Sequence, residues 1–259
     1  MAAAGNIRFN RRSFLVLLAG AGTMLAGFPT RANERRIARL IVEGREWRAM
    51  PERLDFISRA LIGSRYRAET LIGGAKKSEI FVNRDDVFDC VTYCEAVLAA
   101  ANARDPDEYE PLLRKIRYRG GVVNWQERNH DFAAWCAHNV ENGLCRPVRL
   151  AGAVELKKAM SWPRDLGKRS YTIAAIPRDV LLDNRAMLAS GDIIGFVSAR
   201  QGLDYFHCGF VMMEGGTPKL RHAAQSRRRV LEEPLERFLV ANRVKYVTLL
   251  RPQDRMINA

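Results

Sequence analysis

Two kinds of apolar spacing divide the chain. From residue 33 to 146, apolar positions recur at three- and four-residue intervals in RRIARLIVEGREW, ERLDFISRALIG, CVTYCEAVLAAANA and DFAAWCAHNVENG. That is the period of helices with one buried face, and the last stretch ends in Asn142-Gly143, a pair suited to a helix C-cap. From 190 to 250 the runs shorten to DIIGFVSA, YFHCGFVMM, KLRHAAQ and KYVTLL. Gly202, the Glu214-Gly215-Gly216-Thr217 turn and an arginine-rich loop punctuate them, as expected of strands joined by hairpins. Residues 146–175 mix charge with scattered apolar positions and read as irregular. Helices first and antiparallel strands later predict an α+β fold. No internal repeat or low-complexity linker interrupts the pattern, so residues 33–259 are expected to form a single domain.

The N-terminus follows neither spacing. Residues 10–32 read NRRSFLVLLAGAGTMLAGFPTRA: paired arginines, an apolar stretch of about fifteen residues, then a small-residue cleavage site. The stretch is short for a membrane span, which needs roughly 20 residues. Arg11-Arg12 followed by Ser13-Phe14-Leu15 resembles a twin-arginine export signal. Residues 1–32 are therefore expected to direct export, to the periplasm or beyond, and to be removed, leaving no stable membrane insertion. No cysteine follows the apolar run to carry a lipid anchor.

Charge adds a constraint. The chain carries a net charge of +13, which falls to +9 once the four arginines of residues 1–32 are gone. A basic surface favours anionic surroundings. The densest run, Arg227-Arg228-Arg229, lacks aromatic neighbours to stack bases, so a nucleic-acid partner is not expected.

The candidate chemistry begins at Phe88-Asp89-Cys90. Val91, Glu95, Val97 and Leu98 follow with helical spacing, so Cys90 falls in the first turn of its helix. There the helix dipole and free backbone N–H groups stabilise a thiolate, lowering such a pKa to roughly 3.5–7.5. The same N–H groups can hold an oxyanion. Cys94, one turn deeper among apolar residues, reads as a small buried hydrophobe. Cys136, Cys145 and Cys208 complete an odd set of five, which is not a disulfide-dense scaffold. His207 and His222 sit in two strand-like runs joined by the Gly-Gly turn, and a hairpin would bring them onto one face. A thiolate nucleophile needs a base, and the base needs an orienting partner. His207 fits the first role and His222 the second, against the alternative that each is a core histidine.

The order of these landmarks carries a resemblance. Gly63-Ser64-Arg65-Tyr66, Phe88-Asp89-Cys90, Ser190-Gly191-Asp192-Ile193-Ile194, His207-Cys208-Gly209-Phe210 and Arg221-His222-Ala223 resemble NlpC-type, papain-like cell-wall cysteine hydrolases. Phe88-Asp89-Cys90-Val91-Thr92-Tyr93 and Tyr118-Arg119-Gly120-Gly121-Val122 resemble the N-acetylmuramoyl-L-alanine amidase-like family more closely. The likeness covers most of residues 50–252. It implies a papain-like fold in which N-terminal helices carry the nucleophile and a C-terminal antiparallel sheet carries the histidines. It further implies Cys90 as nucleophile, His207 as general base and acid, and His222 as third member. Tyr66, Asp89 and His130 become candidates for oxyanion or substrate binding, Tyr66 because such a tyrosine sits beside the cysteine. The substrate implied is an amide bond in peptidoglycan or its muropeptide fragments, with no cofactor. Two rivals stand beside this reading. Cys90, Cys94, His207 and His222 could instead hold a zinc ion, or the chain could be a wall-binding module without turnover.

Overall fold

The computed structural model describes residues 31–254. The expected export segment, residues 1–32, lies outside them except for its last two positions. Among the described residues no helix is long and apolar enough to cross a membrane.

The chain opens with α1 (Arg31–Gly44) and α2 (Met50–Ala60), passes short strands β1 (Arg65–Tyr66), β2 (Ile72–Gly74), β3 (Lys77–Ile80) and β4 (Val87–Phe88), and enters α3 (Cys90–Asn102), α4 (Pro106–Arg117) and α5 (Phe132–Glu141). After β5 (Cys145–Pro147) come β6 (Val154–Met160), β7 (Arg169–Pro177), α6 (Arg178–Asp183), β8 (Ile193–Val197), β9 (Tyr205–Glu214), β10 (Thr217–Ala224), β11 (Arg229–Pro234), α7 (Leu235–Ala241) and β12 (Tyr246–Pro252). Ten strands form one sheet in the order β4-β1-β11-β10-β9-β8-β12-β7-β6, with β5 added beside β12. Its pairings are antiparallel except for β1 with β4. The mixed α+β class predicted from spacing is what forms.

Alternation along the strands builds a core on each face. Ile193, Cys208, Phe210, Met212 and Ala223 pack with α1 to α5. Ile194, Phe196, Val211, Leu220 and Val247 pack with Leu181 of α6 and with Leu235, Phe238 and Leu239 of α7. α3 lies in the first core, buried from Thr92 to Asn102. That burial suits its sequence, which is apolar on nearly every face.

Three differences from the sequence reading have physical causes. Residues 154–160 and 169–177, which fall almost wholly in the stretch 146–175 expected as irregular, form a regular hairpin. Its alternation is real (Ile173 and Ala175 point inward) but charges hide it, because β6 is the sheet's edge and turns Glu155 and Lys157 outward. The helix α4 was also not anticipated. Two prolines obscure its period, yet Pro106 occupies the helix start, where it loses no hydrogen bond, and Asp105 caps by accepting from the backbone N–H groups of Asp107 and Glu108. Finally, β1 and β4 come from the helical half and join the sheet. They are too short for a period to be read from them.

Candidate functional site

The site is built where α3 begins. Asp89 is the N-cap of α3: its carboxylate accepts from the Thr92 backbone N–H at 2.8 Å, while the Asp89 N–H donates to the Thr92 hydroxyl at 2.9 Å. This reciprocal pair fixes the helix start and makes Cys90 the first helical residue. Thr70 also donates to Asp89, at 3.3 Å. The carboxylate is thus committed to holding the turn. Burial, then the neighbouring Cys90, raises its pKa.

Cys90 is half-buried, whereas Cys94 one turn later is fully buried. The Cys90 thiol has its pKa lowered well below the usual thiol value, first by hydrogen bonding to the Cys208 side chain and then by His207, against the opposing effect of burial. Cys208 moves the other way. Burial, then Cys90 and Cys94, pushes its pKa well up, so its S–H stays intact as a donor. Its sulfur is 3.9 Å from that of Cys94. All five cysteines are free thiols, Cys136 and Cys145 included.

The histidines come from the hairpin of β9 and β10. Gly215 and Gly216 close it with φ of 54° and 79°, the left-handed pair that a two-residue turn between twisted strands requires. His207 Nε2 and His222 Nδ1 are 2.6 Å apart, and His222 Nε2 lies 3.1 Å from Glu233 Oε1 on β11. These partners order the protons. A carboxylate can only accept, so His222 donates from Nε2 and accepts at Nδ1. His207 then donates from Nε2, which leaves its Nδ1 unprotonated and able to take a proton from a thiol. Burial, then His207, pushes the His222 pKa down to about 3, which keeps this ring neutral. Phe238 of α7 packs on both rings, with centroids 5.5 Å from His207 and 5.3 Å from His222.

Two backbone features aim the pair. Phe196 pairs with His207 and Val197 with Tyr205, so Phe206 is an extra residue in β9. This bulge lets both Tyr205 and Cys208 face the helical core while His207 keeps its own direction. Gly209 leaves room for the second ring. A β-carbon there would stand 2.8 Å from the His222 β-carbon and 2.9 Å from the Arg221 carbonyl oxygen. Arg221, fully buried, ties the same strand to α2 through Asp55 and Ser58 and to β11 through Glu232.

Tyr66 stands beside this cluster, since β1 pairs with β4 and sets Tyr66 opposite Phe88. Burial, then the charges of Cys90, Asp89 and Cys208, pushes its hydroxyl pKa up to about 12. The hydroxyl is therefore a proton donor at neutral pH. His130 is engaged elsewhere: its Nε2 donates to the Trp125 carbonyl at 2.6 Å, and its ring meets the Trp125 ring edge-on. The zinc alternative finds no ligand set. His222 uses both nitrogens on His207 and Glu233, and among the described residues no group of three or more His, Cys, Asp or Glu side chains could hold a metal ion.

Sequence reasoning missed Glu233 and Cys208 as parts of this cluster. Glu233 lies on β11, whose run RVLEEP is too polar to read as a strand. Cys208 was in view only as the neighbour of His207, and its closeness to Cys90 depends on the pairing of distant elements.

Comparison with known proteins agrees on fold and family. A Legionella pneumophila protein of the DUF1460 family has a crystal structure that superposes with a TM-score of 0.76 at 19% identity, over 86% of this chain and 96% of its own. An N-acetylmuramoyl-L-alanine amidase from Bacteroides uniformis superposes with a TM-score of 0.65 at 21% identity, over 85% of this chain and all of its own. At these identities the likeness is one of fold. Comparison with the curated proteins gives no match. Residues 56–245, which include Cys90, His207, His222 and Glu233, match the AmiA-like family model, and the chain belongs to this N-acetylmuramoyl-L-alanine amidase-like family.

Proposed function

We propose that this chain is an exported cysteine hydrolase of papain-like type that cleaves an amide bond in peptidoglycan. The observation that carries the reading is the placement of a lowered-pKa cysteine at a helix N-terminus, against a histidine that is itself hydrogen-bonded to a second histidine. Membership of an amidase-like family and the export signal read from residues 1–32 support the substrate and the compartment.

In this mechanism the Cys90 thiolate attacks the amide carbonyl carbon. The oxyanion is held by backbone N–H groups at the start of α3 and by the Tyr66 hydroxyl. His207, protonated at Nδ1 by the thiol, gives that proton to the leaving nitrogen as the carbon–nitrogen bond breaks. The amine departs and a thioester remains on Cys90. Neutral His207 then takes a proton from water, whose oxygen attacks the thioester, and the acid product leaves as the thiolate is restored. His222 orients the His207 ring and accepts its Nε2 proton throughout, and Glu233 fixes the tautomer of His222. Asp89 serves by holding the helix start. No cofactor takes part.

The test is the mass of the products after digestion of purified wall fragments. Cleavage at the muramoyl amide frees an intact stem peptide from the sugar, whereas cleavage within the stem shortens it. Unchanged masses would refute hydrolysis and leave the wall-binding alternative. Equal turnover by Cys90→Ala would refute the nucleophile.

A further inference from the structure

Beside the bulge that aims His207 lies a groove of about 500 Å³ with Phe206 in its wall. Its lining draws on separate parts of the fold: Lys157 and Lys158 from β6, Arg200 from the loop after β8, and Arg243 and Lys245 from the turn between α7 and β12. No aspartate or glutamate lines it. Lys158 donates to the Ser198 carbonyl, and among the described residues none of the five cations is paired with a carboxylate. Other grooves on the molecule differ in sign. One beside α2 carries Glu52, Asp55, Glu214 and Glu232 with Arg59, and one beside α4 carries Asp105, Asp107 and Glu108 with Lys115. A basic chain thus does not by itself give every groove a cationic lining, and the one beside His207 gathers five cations with no acid.

We infer that this groove binds the carboxylate-bearing peptide on the leaving-amine side of the scissile bond. The inference rests on the hydrolase reading above, in which His207 hands a proton to the departing amine. Whichever stem amide is cut, that amine belongs to a peptide carrying free carboxylates. Converging unpaired cations attract such a ligand and hold its register. The exposed ring of Phe206 supplies an apolar wall beside the charges. Lys157, Arg200 and Lys245 are all exposed, so their replacement leaves the cores untouched.

The experiment measures binding, so that it does not depend on turnover. The full chain carrying Cys90→Ala is titrated calorimetrically with a synthetic tetrapeptide, L-Ala-γ-D-Glu-meso-diaminopimelyl-D-Ala, and with the same peptide amidated at its carboxyls. The expected result is at least about tenfold weaker binding when Lys157→Glu, Arg200→Glu and Lys245→Glu are added, with an unchanged melting temperature. Amidation should weaken binding to the parent by a similar factor, and the two losses should not add, because they remove the same interactions. Equal affinity of parent and triple variant, equal affinity for both peptides, or no binding to the parent would overturn the assignment. Tighter binding of inorganic phosphate at the groove than of the peptide would also overturn it. Wild-type turnover of wall fragments is scored separately. A chain that binds the peptide in this groove but cuts nothing sinks the hydrolase reading and leaves the groove standing.

Discussion

The first turn of α3 and the turn after it hold the same side chain in opposite states. Cys90 has its pKa lowered, whereas burial raises that of Cys94. Composition and helix are shared, so the difference comes from what each sulfur faces. Both sulfurs meet the protonated Cys208, but Cys90 also meets the open end of the helix and a histidine, while Cys94 is shut in the interior, where burial outweighs that contact. A lowered thiol pKa thus comes from placing an ordinary residue at a boundary where donors converge.

That comparison can be broken most directly by deleting each sulfur. Cys90→Ala should reduce turnover of wall fragments by about 10⁴-fold or more with little change in stability, since it removes the proposed nucleophile. Cys94→Ala should leave activity near wild type and cost about 1 kcal/mol of stability from the small cavity it opens. Comparable loss of activity from both would mean that the two turns are not functionally distinct. Next in size, Gly209→Ala should lower kcat on the order of 10²-fold by pushing His222 away from His207, because small misplacements of an orienting group are costly. A crystal structure of the variant with the two rings still in contact would contradict this.

A third effect sharpens the part played by the proton order. Glu233→Ala should lower kcat about tenfold, the weight of roughly one net hydrogen bond, and leave KM unchanged. Glu233→Gln, which can still accept through its amide oxygen, should recover most of it; equal loss in both variants would deny Glu233 its role in fixing the tautomer. Within the first turn itself, Cys208→Ala should move the pH midpoint of Cys90 alkylation by iodoacetamide upward, because it removes the leading cause of the lowered pKa. Cys94→Ala should move it much less, and identical midpoints in the wild type and Cys208→Ala would show that the helix end and His207 suffice. The smallest effect concerns stability. The His222 pKa falls from 6.5 to about 3 on folding, so between those pH values the unfolded chain binds a proton that the native chain does not. Stability should therefore fall as pH drops through that window, by up to about 1.4 kcal/mol per pH unit. Urea midpoints at pH 7 and pH 5 should separate less in His222→Gln than in wild type, and equal separation would show that another group carries the acid sensitivity.

α1, α2, α3 and α5 were legible because each is long enough for a period to show, and the Gly215-Gly216 turn because few other residues adopt its backbone; α4 was not, with two prolines breaking its pattern. The hairpin of β6 and β7 was not, since an edge strand guards itself with the same charges that mark loops. Cys90, His207 and His222 could be singled out by residue type and order. The donors that tune them could not, because Glu233 sits on a polar strand and the Cys208 contact exists only once α3 packs on β9. Local pattern names the candidate groups; pairing between distant strands sets their surroundings.

The chain order of the site has a consequence for its making. Cys90 leaves the ribosome with α3, but the groups that lower its pKa arrive with β9, and those that orient His207 arrive later still with β10, β11 and α7. A chain that ends before β9 has the start of α3 but neither Cys208 nor His207 beside residue 90. The lowered pKa of Cys90 is therefore a property of the finished sheet and not of α3 alone.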